Sequence, residues 1–193
     1  MERAGEVIEA TATGFIAQCY ELYHIPPLGS LVKTGDPPIY AVVCDATTSS
    51  IEPGRRPLAR GYDEPDEESV YRASPQLSRL LRSVFSTLAV GFLEGDHRHH
   101  YLPPYPAAIH GFVYPCSNQE IKDFSSSFDF LNLLINSHLS VDAGELTASA
   151  LRQMSQAHDN PHGFLVSAGK ELTALLRGDY NLLRAILMRL KNE

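Results

Sequence analysis

Residues 5–45 constrain the fold of this chain more than any other stretch, because short apolar segments alternate there with turn residues. The apolar segments are rich in β-branched and aromatic side chains, and they cover residues 7–8, 15–20, 31–32 and 39–44. The turn residues between them are Thr13-Gly14, Pro26-Pro27 with Gly29, and Gly35-Asp36-Pro37-Pro38. These residue types supply the backbone angles that tight turns need. Several short strands at this spacing predict a small closed or nearly closed β-barrel of five or six strands, with no helix across residues 15–20 or 39–44.

Three sequences in this stretch carry a resemblance to a known family. They are GEVIEA from Gly5, PPLGSLVKTGD from Pro26 and IYAVVCDAT from Ile39. Their order resembles the HAS-barrel, the small β-barrel at the N-terminus of HerA-type DNA-translocating ATPases and of the catalytic subunits of rotary ATP synthases. The resemblance implies a collar in which barrel packs against barrel around a ring, while a separate domain handles the nucleotide. The rest of the chain is similar to short stand-alone proteins of photosynthetic bacteria that carry the barrel without a motor domain.

The composition excludes several classes of protein. With 193 residues and 44% hydrophobic residues, the chain has the composition of a globular protein. Its net charge of −7 does not favour nucleic acid, although Arg outnumbers Lys by 12 to 4. The three cysteines, Cys19, Cys44 and Cys116, are an odd number and form no CxxC pair. We expect Cys19 and Cys44 to be buried inside the fold as small apolar side chains, and the protein to reside in a reducing cytoplasm. No signal peptide or membrane span is indicated, so we expect a soluble cytoplasmic protein without membrane insertion.

Residues 47–69 change character and predict a polar loop. Arg55, Arg56 and Arg60 are followed by an acidic run at Asp63, Glu64 and residues 66–68. One interpretation is a solvated excursion whose opposite charges pair with each other. The other interpretation is that the three arginines bind an anion or a protein partner, although the adjacent acidic run argues against it.

Ser74 and Pro75 predict the start of a helix that spans about 74–90, because serine is a preferred N-cap and proline a preferred first helical residue. Six apolar residues fall on one face of that helix, namely Leu77, Leu80, Leu81, Val84, Phe85 and Leu88. Gly91 is expected to mark the end of the helix or the close approach of another backbone.

Residues 95–106, with the sequence GDHRHHYLPPYP, are chemically the most unusual. His97, His99 and His100 are weak candidates for metal ligands, because no Asp, Glu or Cys stands at a usual ligand spacing and no HExxH pattern is present. Histidines exposed in a loop are the alternative. The rigid and amphipathic run that follows is typical of a protein contact or of a packed connector, and its contact candidates are Tyr101, Pro103, Pro104 and Tyr105.

The remainder of the chain predicts one returning strand and then helices. Residues 109–116, IHGFVYPC, are expected to form a strand that rejoins the barrel. Ser117 with Glu120 and Asp142 with Glu145 are capping pairs, residues 124–138 continue in helical style, and further helices are expected at about 162–177 and after Asp179. We therefore expect an α+β fold. Residues 1–116 form the β-barrel with its inserted loop and helix, and residues 117–193 form an α-helical bundle.

Motifs for catalysis and nucleotide binding are not found in the sequence. There is no GxSxG or GxGxxG pattern, and we assign no catalytic residue and no cofactor. Residues 163–171, GFLVSAGKE, fail as a phosphate loop because Gly163 stands six rather than five residues before Gly169, and Glu171 replaces the hydroxyl that holds magnesium. We expect Gly169 to lie inside a helix and permit close packing, Lys170 to be exposed, and the chain not to bind ATP.

Two functional hypotheses follow. The favoured one is a non-enzymatic scaffold or adaptor whose barrel binds a protein partner or forms a homo-oligomer. The alternative is a small metal-binding or ligand-binding protein, or a hydrolase, that uses the histidine-rich residues 97–110.

Overall fold

The computed structural model of the chain describes residues 2–52 and 54–190. The strands are β1 (Gly5–Thr11), β2 (Gly14–Cys19), β3 (Leu31–Thr34), β4 (Ile39–Ser50), β5 (Leu81–Glu94), β6 (His97–His99) and β7 (Phe112–Pro115). The helices are α1 (Glu67–Ala73), α2 (Leu77–Leu80), α3 (Asn118–Phe124), α4 (Leu131–Ile135), α5 (Ala143–Ser155), α6 (Pro161–Leu175) and α7 (Tyr180–Leu190). In the described ranges, none of these helices combines the length and the apolar character that crossing a bilayer requires.

Six antiparallel strands close into a barrel, as the alternation in residues 5–45 predicts. The strand order is β2-β1-β7-β3-β4-β5, and a pairing between β5 and β2 closes the circle. β6 extends the sheet as a hairpin on β5. The prediction that residues 109–116 rejoin the barrel is confirmed, because β7 pairs with both β1 and β3, although the strand itself begins only at Phe112.

The barrel interior is filled by side chains from alternate positions of its strands, as expected for so small a barrel. Phe85 and Phe15 are the large members of this cluster, and Ala17 and Ala41 are small ones that leave room for them. Among the described residues, the buried members of this cluster are Val7, Phe15, Ala17, Cys19, Val32, Ala41, Val43, Phe85 and Val113. Cys19 and Cys44 are both buried, as predicted.

The prediction of a helix at residues 74–90 is wrong. Ser74 ends α1 instead of starting a helix, since its N–H donates to the carbonyl of Val70, and only one helical turn, α2, follows before the long strand β5. Both faces of β5 are buried, since Phe85 lies in the barrel while Leu88 and Val90 lie under the C-terminal helices. A strand that is apolar on both faces has no strict alternation, and its apolar residues can therefore also match helical spacing. Pairing with β4 along its whole length therefore overrides the local signal.

Two neighbouring predictions also change. Gly91 does not end a helix, but the expected close approach is confirmed, because a Cβ there would lie 2.2 Å from the carbonyl oxygen of His99. The polar loop is shorter than residues 47–69, since β4 continues to Ser50 and α1 starts at Glu67 behind the N-cap Asp66.

The C-terminal helices cover one side of the barrel, and the sequence signals for their starts are confirmed. Ser117 and Glu120 form a full capping box before α3, Asp142 caps α5, and Asp179 accepts a hydrogen bond from the N–H of Leu182 in α7. Residues 124–138 are less helical than predicted, because α3 ends at Phe124 and only α4 follows. Outward residues of the strands share one buried cluster with helix residues, including Tyr40, Val42, Leu88, Val90, Phe124, Leu134, Leu151 and Met154.

Candidate protein-contact surface

The outer surface of the barrel differs between its two sides. On β3, β4 and β5, outward side chains such as Leu31, Val42 and Val90 are buried in the cluster that includes the helices. On β1 and β7, outward apolar side chains remain exposed: Ile8 and Phe112 each expose 39% of their surface. Exposed apolar side chains on neighbouring strands are a feature from which a protein-contact surface can be built.

Glu6 organises this exposed side. It faces Gln18 of β2 and Phe112 of β7 in the sheet, so it lies at the centre of the β2-β1-β7 surface. Its carboxylate accepts a hydrogen bond from the hydroxyl of Tyr20 at 2.9 Å and lies 2.5 Å from Nδ1 of His110. Hydrogen bonds from His110 and Tyr20 lower the pKa of Glu6, so this carboxylate stays charged at neutral pH.

Arg3 adds a cation to the same surface. Its guanidinium lies over the ring of Phe112, 3.9 Å from the ring centroid, a geometry that favours cation–π attraction. We call this surface the Glu6 face, and it comprises Arg3, Glu6, Ile8, Tyr20, Ile109, His110 and Phe112. It combines exposed apolar area with positive and negative groups whose positions are fixed by their contacts.

His110 is held in an unusual backbone conformation. Its φ of 68° lies in the left-handed region, where residues other than glycine are strained by roughly 1–3 kcal/mol. Backbone hydrogen bonds compensate for this: the N–H of His110 donates to the carbonyl of Val7 at 2.9 Å, and the N–H of Val7 donates to the carbonyl of Gly111 at 2.9 Å. The sequence did not reveal this role of His110, because its partner Glu6 is 104 residues away.

The tyrosine- and proline-rich segment leads directly into the Glu6 face. Tyr101 packs edge-on against Phe92, with ring centroids 5.4 Å apart, and Pro103 is buried. Further along, Ala107 packs against the interior cluster of the barrel. Between these anchors Pro104 and Tyr105 project into solvent, and Tyr105 is 79% exposed. Three of the four predicted contact residues are therefore exposed, while Pro103 anchors the backbone.

The three histidines do not converge. His97 and His99 lie two residues apart in β6 and therefore on the same face of the strand, where the ring of His99 packs against Phe92. His100 lies apart from them, with its Nε2 2.9 Å from the carbonyl oxygen of Phe124 under the helices. Burial lowers the pKa of His100. Among residues 2–52 and 54–190, no group of three or more His, Cys, Asp or Glu side chains is placed to hold a metal ion. The metal or hydrolase alternative gains no support from this geometry and stays a prediction.

Arg55, Arg56 and Arg60 lie away from this segment, in the exposed connection between β4 and α1. Together with Leu77 and Leu80 they line a shallow cavity of about 240 Å³. Arg55 pairs with Glu52 at 2.8 Å, while Asp66 and Glu68 of the acidic run lie within 4.0 Å of Arg72. The sequence suggested pairing between the three arginines and the acidic run, and these contacts differ from it. Their role as contacts to a partner stays a prediction.

One ion pair that the sequence did not reveal joins the barrel to the helices. Nζ of Lys33 in β3 donates to Glu120, which is also the second half of the capping box at α3. Burial raises the pKa of Glu120, but hydrogen bonds from Lys33 and Ser117 outweigh it and leave that pKa below its usual value. The pair links α3 to β3 on the outside of the barrel.

The thiols are poor candidates for chemistry. Burial raises the pKa of Cys19 and of Cys44 to about 11, and that of Cys116 to about 12. Since the thiolate is the reactive form, these side chains are inert at neutral pH.

The segment that resembles a phosphate loop is part of a helix, as predicted. α6 runs without interruption through Gly169 and Lys170, and Lys170 is exposed. A Cβ at Gly169 would lie 3.4 Å from Cδ2 of Leu187 in α7, an ordinary van der Waals distance, so the expectation that a glycine is needed here for close helix packing is not supported.

Comparison with models of known protein families found none that matches this chain, and no curated protein matches its sequence.

Proposed function

We propose that this protein is a non-enzymatic scaffold or adaptor that binds a protein partner through a HAS-like barrel, with its C-terminal helices acting as a bundle that braces one side. The observation that carries the proposal is the asymmetry of the barrel. One side is buried beneath helices, and the other presents the Glu6 face and the neighbouring Tyr105 to solvent. A barrel in a collar-like assembly needs such an exposed side, as the resemblance of residues 5–47 implies.

The composition of the Glu6 face suits a protein partner. Tyrosine, phenylalanine and arginine are all enriched at protein interfaces, and tyrosine and arginine are among the residues that contribute most to binding. Here their positions are already restricted before binding: Tyr20 is bonded to Glu6, Arg3 is stacked on Phe112, and Tyr101 is packed on Phe92. Such pre-ordering lowers the entropy lost on association. The net charge of −7 argues against nucleic acid as the partner.

The proposal is tested by co-purification at native abundance, with quantitative mass spectrometry of the recovered proteins. We expect Tyr101→Ala/Tyr105→Ala to lower recovery of the specific partner at least about tenfold, a change equivalent to about 1.4 kcal/mol in binding. The matched control is Tyr180→Ala, which removes an exposed tyrosine at the start of α7 and should leave recovery unchanged. Unchanged recovery with the double variant, at native circular dichroism, would contradict the proposal.

A further inference from the structure

The second half of β4 has an open edge. Up to Val43 the strand is bonded on both sides, since β3 pairs with it as far as Val42 and the N–H of Val43 donates to the carbonyl of Ser30 at 3.0 Å. From Asp45 to Ser50, in the part of the chain that the structure describes, β5 is the only strand paired with it. Six residues of a strand thus present one row of backbone groups without a neighbouring strand.

The direction of these groups follows from the pairing with β5. The N–H of Ile51 donates to the carbonyl of Leu80 at 2.9 Å, toward β5. Because N–H and C=O groups alternate in direction along an antiparallel strand, Ser50, Thr48 and Ala46 direct theirs to the open edge. The N–H of Ala46 is accepted by its own neighbour, Oδ1 of Asp45, at 2.8 Å, as expected for a donor that has no strand beside it.

This edge lacks most of the devices that prevent pairing. Natural edge strands are commonly protected by lysine, proline or a bulge. Residues 45–50, DATTSS, contain no lysine or proline. The two irregularities of β4 come earlier, between Tyr40 and Ala41 and between Val43 and Asp45. Threonine and serine also form favourable cross-strand pairs with each other. The edge is therefore suited to receive another strand.

We propose that this edge pairs with the same edge of a second copy of the chain, antiparallel and centred on Thr48. Two-fold symmetry then places Thr48 opposite Thr48 of the other copy, and Ala46 opposite Ser50, so the outward-directed groups of both copies meet. The only charged side chain in the segment, Asp45, faces Ile51 of the other copy and not a second Asp45. No like charges oppose each other.

A second feature identifies the occupant as another copy. Ile51, which is 45% exposed, lies at one end of the open edge. At the other end, beside Asp45 and Ala46, lies a depression of about 360 Å³ whose lining includes Leu28, Val43 and Val141. Antiparallel pairing centred on Thr48 brings Ile51 of each copy to the depression of the other. An exposed apolar side chain and an apolar depression are thus complementary under one two-fold axis.

Engineered disulfides test the register. Facing residues of a hydrogen-bonded antiparallel pair lie about 5.5 Å apart at Cα, within reach of a disulfide. We expect Thr48→Cys to form a covalent dimer on mild oxidation of the full chain. The matched control Thr47→Cys should not, because Thr47 faces Ser49 of the other copy and lies more than about 7 Å from its own equivalent. The native thiols are buried and inert and should not interfere.

Sedimentation equilibrium tests the association itself. The chain should dimerise, and Ile51→Asp, which sets a carboxylate opposite Asp45, should raise the dimer dissociation constant at least about tenfold. Val166→Asp, at an apolar residue of α6 that is 43% exposed and lies outside the edge, should leave it unchanged. A monomer at all concentrations, or crosslinking at Thr47 rather than Thr48, would overturn the proposal. Neither result bears on the Glu6 face, which shares no residue with this edge.

Discussion

Replacing Phe85 by alanine should destabilise the protein severely, because this ring is the largest fully buried side chain in the barrel interior. It is 0% exposed and faces Ala17 across the β2–β5 pair. Burying a phenylalanine side chain removes on the order of 150 Å² or more of surface from water. At about 25 cal/mol per Å² this burial contributes about 4 kcal/mol to the free energy of unfolding. The small side chains beside Phe85 cannot move far enough in a closed barrel to fill the cavity left by the ring. We therefore expect the free energy of unfolding to fall by about 3–5 kcal/mol.

Urea unfolding followed by circular dichroism measures this loss. The matched control is Phe112→Ala, the same substitution on the outer surface of β7, where the ring is 39% exposed. We expect that change to lower the free energy of unfolding by only about 1 kcal/mol, including its cation–π contact with Arg3. Equal losses for the two variants would refute the assignment of Phe85 to a closed and filled interior.

Three further predictions concern the contacts around the barrel. Glu120→Gln breaks the pair with Lys33 and should lower the free energy of unfolding by about 1–2 kcal/mol at pH 7. Because the folded pKa of Glu120 is lowered, its contribution is present above its unfolded pKa and is lost as pH falls through the folded value, so the difference from wild type in chemical unfolding should shrink below about pH 4. Burial likewise lowers the pKa of His100 in the folded state, so the neutral ring stabilises the fold above about pH 6.5 and that contribution is lost as pH falls. His100→Gln should therefore reduce the fall in melting temperature between pH 7 and pH 5, whereas the exposed His97→Gln should not; identical pH profiles would contradict this. Gly91→Ala should lower the free energy of unfolding by about 1–3 kcal/mol, because the added Cβ would clash with the backbone at His99. At Gly169 an added Cβ would contact only the end of the Leu187 side chain, so Gly169→Ala should be neutral or stabilising. Equal effects at the two glycines would argue against the packing described at Gly91.

The elements that local signals define were predictable from the sequence. Thr13-Gly14 and the Gly35–Pro38 turn separate strands where expected, and the caps at Ser117, Asp142 and Asp179 start helices at the positions that their hydrogen bonds require. Gly169 and Lys170 could be placed in a helix because the phosphate-loop pattern failed in two positions. These inferences rest on interactions between residues that are close in sequence.

What could not be predicted depends on distant pairing. The run from Leu77 to Leu88 satisfies helical spacing, but only its first turn, α2, is helical. Pairing with β4 and β2 makes residues 81–88 part of a strand with two buried faces. The Glu6 face is likewise assembled from β1, β7, Tyr20 after β2 and the loop at His110, which no spacing rule connects. The sequence pointed to Tyr101 and Tyr105 through their composition alone, and it gave no sign that this segment leads to Glu6.

The central claim, that the exposed side of the barrel binds a protein partner, is tested most directly at Ile109 and Phe112. Ile109→Asp/Phe112→Asp places two carboxylates on the Glu6 face, while Val166→Asp/Met188→Asp places two at exposed positions on α6 and α7 as the matched control. Partner recovery at native abundance should fall at least about tenfold for the first variant and stay at the wild-type level for the second. Wild-type recovery by a folded Ile109→Asp/Phe112→Asp variant would contradict the account.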